Sequence, residues 1–209
     1  MAGTVVRNHF SNCLNSAATS AEQIQMLWNE IEAHYTASER HYHTLAHLDQ
    51  IAGELLPCKN HFHNWTTVIL AVTYHDIIYD TSREDNEEQS AEFARHRVAA
   101  MAFPPEESEL CVRMILATKK HETHADEEIN LFTDADLSIL GADAATYDLY
   151  AGNIRKEYKR HNDLEYKAGR KRVLNYFLSL DKIFKTPYFF ARYEQSSRIN
   201  LSHELESLG

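Results

Sequence analysis

The residues best suited to chemistry lie in a stretch where they are hard to bury. Residues 72–80 read VTYHDIIYD, so an apolar run meets an imidazole and a carboxylate, His75 and Asp76. Burying that pair is unfavourable unless both find partners, and a divalent metal suits a neutral imidazole and an ionised carboxylate together. Upstream, RHYHTLAHL sets His43 and His47 four residues apart. On a helix that spacing puts both on one face, where they can reach a common site. Downstream, LFTDADLSIL carries Asp134 and Asp136 in an apolar setting, where carboxylates again need a counter-charge.

Taken singly, each group has a plain structural role: histidines bonded to carbonyls, aspartates capping helices. The three sites together point to a metal centre. Position 44 is threonine, so the glutamate base of an HExxH metalloprotease is missing. His61 and His63 form an HxH in a loop, without a carboxylate nearby in sequence. No Gly-rich phosphate loop is present.

These residues need a helical scaffold, and the chain supplies one. It has six glycines and four prolines in 209 residues, and its apolar residues recur at intervals of three and four, so the fold class is all-α. Ser20 followed by Gln23 predicts a capping box opening a helix whose stripe is Ile24, Leu27, Trp28, Ile31 and Tyr35, ending near Ser38. A second helix is expected over 41–56, carrying both His43 and His47 and stopped by Pro57. WTTVILAVTY is apolar nearly all round, which makes it the central helix and places His75 and Asp76 at its C-terminal end. Further helices are expected over 86–101, from Pro105, over 143–160, over 164–184 and from Pro187, with Gly141 as a C-cap. Eight or nine helices around one core, a single domain over 1–209, is the resulting architecture.

The formal net charge is −10 and is spread along the chain, which argues against general nucleic-acid binding. Cys13, Cys58 and Cys111 are far apart and odd in number, so neither a disulfide framework nor a zinc ribbon is expected and a reducing, cytoplasmic setting fits. With no apolar stretch approaching a membrane span, no membrane association is expected. Exposed aromatics near the C-terminus permit a homodimer.

The order H, then HD, then D on an all-helical chain is similar to the HD superfamily of metal-dependent phosphohydrolases. RHYHTLAHL, HDIIYD, DNEEQSAEFA, ILATKKH, DADLSILG, IRKEY and GRKRVLNYFLSL resemble, in order, the small family of predicted metal-dependent HD phosphohydrolases. The resemblance runs over about 28–204 and implies an HD-domain, phosphodiesterase-like helical bundle. It also implies His43, His75, Asp76 and Asp136 as metal ligands, with Asp134 as runner-up. His47 stands as an extra ligand, an outer contact or a substrate contact.

Mixed imidazole and carboxylate donors suit Mn, Ni, Co, Fe or Zn better than Mg, and one metal is favoured over two. Such an ion can generate a nucleophile from water near neutral pH and polarise a phosphoryl oxygen. The expected catalytic set is Asp76 to activate the nucleophile, Glu87 as general acid and His121. Glu87 can equally favour the first turn of its helix. Arg40, Lys119 and Lys120, together with Arg155 and Lys156, are candidate phosphate contacts. His121 and His124 are candidate ligands for a second metal.

The expected substrate is a small phosphorylated metabolite or nucleotide. Two other readings remain: a non-catalytic metal-binding or nucleotide-sensing module, and a di-iron oxygenase.

Overall fold

A computed structural model describes residues 2–17, 19–101 and 103–209. Among the described residues there are ten α-helices and no strand, so the all-α expectation holds. The helices are α1 (Thr4–Ser16), α2 (Ala21–Tyr35), α3 (Leu45–Leu55), α4 (Trp65–Tyr74), α5 (Asn86–Ala100), α6 (Pro105–Ala117), α7 (Glu127–Asp136), α8 (Ala144–Glu157), α9 (Asp163–Ser179) and α10 (Pro187–Ser207). The chain divides into two compact units, Met1–Thr133 and Asp134–Gly209, with the boundary inside α7. No helix among the described residues is long and apolar enough to cross a membrane.

In the first unit α4 is the centre. Every residue from Thr67 to Tyr74 is buried, and the helix packs against α1, α3, α5 and α6. Each fully buried Val, Leu or Ile there stabilises the fold by about 1.5–3 kcal/mol, which anchors the helix that ends at His75. The capping box of α2 forms as expected: Ser20 accepts from the Gln23 N–H, and Gln23 reaches back to the Ser20 N–H. Its stripe buries Ile24, Trp28, Ile31 and Tyr35.

The second helix starts later than expected. Thr44 is extended (φ −117°, ψ 179°) and its hydroxyl accepts the Ala46 N–H at 3.3 Å, so it caps α3 and leaves His43 outside the helix. The i,i+4 argument for His43 and His47 therefore fails, because a β-branched cap residue between them breaks the helical path.

In the second unit α9 stops at Ser179 rather than continuing to 184. The backbone turns extended at Leu180 (ψ 140°), and Arg198 of α10 donates to the carbonyls of Leu178, Leu180 and Asp181. Those bonds take up acceptors that the helix end leaves unsatisfied.

Gly141 is not a left-handed C-cap: the only described glycines with positive φ are Gly3 and Gly209. A Cβ there would lie 2.7 Å from Tyr193 Cβ and 2.8 Å from the Tyr193 carbonyl oxygen, so close packing against α10 explains the glycine. Gly141→Ala is therefore expected to destabilise the second unit by about 1–3 kcal/mol, read from the shift of its urea unfolding midpoint.

Candidate metal centre

His75 is the C-cap of α4 and is buried. Its Nδ1 lies 2.9 Å from the carbonyl oxygen of Val72, which can only accept, so Nδ1 carries the proton. In the neutral ring Nε2 then holds a lone pair directed into the cluster. His47, in the first turn of α3, is also buried and brings its Nε2 to 3.3 Å from that atom.

The Asp76 carboxylate joins them. Its Oδ2 lies 3.0 Å from His75 Nε2, 3.8 Å from His47 Nε2 and 3.9 Å from His43 Nε2. His47 and His75 belong to a group of side chains that could hold a metal ion, and Asp136 ends α7 in the second unit. Imidazole nitrogens converging with a carboxylate oxygen could hold a metal ion.

His47 is thus at the heart of the cluster. His43 reaches the same carboxylate from a partly exposed position, its ring 4.3 Å from that of Tyr79 at an interplanar angle of 33°. Tyr42 flanks both His43 and His47 with ring-centroid separations of 4.9 and 4.8 Å.

The irregular segment after Asp76 must satisfy its backbone without a helix, and α5 does this. Ser90 Oγ accepts the Ile78 N–H at 3.1 Å and donates to the Ile78 carbonyl at 3.2 Å. Asn86, one turn earlier, accepts the Asp80 N–H at 3.0 Å and donates to the Asp80 carbonyl at 2.9 Å. Asn86 is therefore not the cap of α5, a position taken by Asp85. The sequence signal for this clamp was the four-residue spacing of two polar side chains in NEEQS, which puts them on one helix face.

Glu87 sits beside this clamp. Burial raises its carboxyl above the ordinary carboxylate value, and the charge of Asp76 pushes in the same direction.

Asp134 is engaged within the second unit. It is fully buried, and it accepts from Lys185 Nζ (2.9 Å), Lys185 N–H (3.0 Å), Thr186 N–H (2.8 Å) and Thr186 Oγ1 (2.7 Å). The expectation that it needs a counter-charge holds, but the charge is a lysine and its role is to fix the start of α10.

The candidate cations are variously engaged. Lys119 Nζ lies 2.5 Å from Glu88 Oε1 and 2.6 Å from the Glu84 carbonyl, and the ammonium holds the Glu88 carboxyl below its usual value. Lys120 faces Glu122 at 4.0 Å. Arg155 donates to the carbonyls of Tyr158 and His161 and to Asp163, and Lys156 to Asn153.

His121 follows the end of α6 with a left-handed backbone, φ 53°. His124 is held by Asn130, which accepts its N–H and donates to its carbonyl, both at 2.8 Å. His63 pairs with Glu128, a carboxylate distant in sequence, and that contact raises its pKa. His61 is exposed.

No protein-family model matches the chain, and neither a curated protein nor a solved structure matches it.

Proposed function

We propose that the protein is a metal-dependent phosphohydrolase of the HD type, acting on a small phosphorylated metabolite or nucleotide in the cytoplasm. The observation that carries this reading is the set of imidazole Nε2 atoms gathered around Asp76 Oδ2, with His75 locked in the tautomer that presents a lone pair. The order of the H, HD and D motifs along the chain supports it further. His43, His47, His75, Asp76 and Asp136 would hold one divalent ion, of the Mn, Ni, Co, Fe or Zn kind, since nitrogen donors disfavour Mg. When bound, such an ion polarises a phosphoryl oxygen and makes water a competent nucleophile at neutral pH.

The chain's own groups do the rest. Asp76, partly exposed, orients the attacking water through its carboxylate. Glu87, whose carboxyl feels the Asp76 charge, would give a proton to the leaving oxygen. His75 is kept in register by the Val72 carbonyl.

The test is a screen of phosphoesters and nucleotides against several divalent metals, reading released phosphate. Metal-dependent release supports the proposal. Metal binding without release on any compound would instead indicate a sensing module, and bound iron with oxygen uptake an oxygenase.

A further inference from the structure

We infer that Arg40 is a positioning residue that sets the metal centre's geometry from behind; this rests on the metal-centre reading above. Arg40 is only 8% exposed, and among the described residues it has no carboxylate partner within ion-pair distance. Burying a guanidinium without a counter-ion is unfavourable, so its retention needs a reason beyond packing.

Its bonds supply one. One terminal nitrogen donates to the carbonyl of His43 at 3.2 Å and the other to the carbonyl of Ile77 at 3.0 Å. The first carbonyl belongs to a cluster histidine, and the second follows Asp76 directly. A single rigid fork therefore ties together two segments that lie far apart in sequence and each carry a cluster side chain.

The cation is held by aromatic faces that also touch the cluster. It lies 4.6 Å from the Tyr35 ring centroid and 5.4 Å from that of Tyr79. The Tyr35 hydroxyl accepts the Asp76 N–H at 3.2 Å, and the Tyr79 ring lies against His43 in a tilted arrangement. Arg40 thus reaches His43 and Asp76 by two routes each, through backbone and through ring. Tyr35, Arg40 and Tyr79 form a rear wall that fixes where the His43 ring and the Asp76 carboxylate point. Groups that orient metal ligands in this way typically change metal affinity by about 10–100-fold when removed.

The experiment compares Arg40→Met and Arg40→Lys with the control Arg97→Met, which removes a guanidinium paired with Glu30 and stacked on Phe93 away from the cluster. Affinity for manganese is measured by competition with a chromophoric chelator, and unfolding of the metal-free proteins by thermal melting. Arg40→Met is expected to weaken manganese binding about 10–100-fold, while Arg97→Met lowers the melting temperature but keeps affinity within about twofold. Arg40→Lys should recover part of the affinity, since an ammonium is a point donor and reaches one carbonyl.

The inference is overturned if Arg40→Met binds manganese like the wild type, or if Arg97→Met loses as much affinity. Should Arg40→Met fail to fold, wild-type affinity in Arg40→Lys overturns it in the same way. A wild-type protein that binds no divalent metal overturns both this inference and the metal-centre reading, whereas an unchanged variant beside a metal-binding wild type overturns this one alone.

Discussion

Replacing Asp76 with asparagine is expected to strip the metal from the protein and to lower phosphate release by about a thousandfold or more. The side chain keeps its shape, and the Asp76 backbone N–H that donates to the Tyr35 hydroxyl is untouched, so the fold should remain. What is lost is a charge that faces all three imidazoles, at 3.0, 3.8 and 3.9 Å from His75, His47 and His43. An amide can offer an oxygen to a metal but no charge, and its NH₂ rotated inward would face the His75 lone pair or the metal itself. Elemental analysis after dialysis, paired with phosphate release, measures the effect. Wild-type metal content together with wild-type turnover in this variant would show that Asp76 is not a ligand.

The second large effect concerns stability. Asp134→Ala is expected to cost about 3–5 kcal/mol, because it removes a buried carboxylate from beside the buried Lys185 ammonium. Lys185 Nζ is 2.9 Å from Asp134 Oδ1, and the two side chains are 3% and 0% exposed. The same carboxylate also accepts the N–H groups of Lys185 and Thr186 and the Thr186 hydroxyl. Thr186 is the N-cap of α10 and makes no side-chain cap bond of its own, so its hydroxyl is committed to Asp134 and the first turn depends on that carboxylate.

Urea unfolding of the metal-free protein reads the loss, and a change below about 1 kcal/mol would contradict the assignment. Asp136→Ala should behave oppositely, with metal binding weakened and metal-free stability nearly kept. On the proposed function, two aspartates one residue apart would separate into an anchor and a ligand.

The anchoring role of Asp134 is not readable in the sequence. Asp134 and Asp136 share an apolar neighbourhood, and the residue that decides between them, Lys185, is fifty-one positions further along the chain. The placement of His43 was hidden for a local reason, since Thr44 fits a helix interior or an N-cap equally well until its hydroxyl is seen to accept the Ala46 N–H. For Arg40, charge alone suggests a phosphate contact and cannot show that two of its N–H groups donate to the carbonyls of His43 and Ile77. Gly141 fits a helix cap by residue type, and the close approach of Tyr193 leaves no trace in the neighbouring residues.

Local signals carried further. The uninterrupted apolar face of α4 marked the central helix, and its abrupt end at His75-Asp76 marked the cluster. Ser20 with Gln23 marked the start of α2, and Pro105 and Pro187 opened α6 and α10. Each of these depends on residues within a turn or two of one another, where hydrogen bonding and sterics act without help from the rest of the chain.

The gathered imidazoles and carboxylates are tested most directly by whether they hold a metal. The measurement is the metal content of wild-type protein reconstituted with manganese and freed of excess by gel filtration, beside a variant with both His47 and His75 changed to alanine. One equivalent per chain in the wild type and none in the variant is the predicted result. Equal metal in the two, or none in the wild type, would contradict the account.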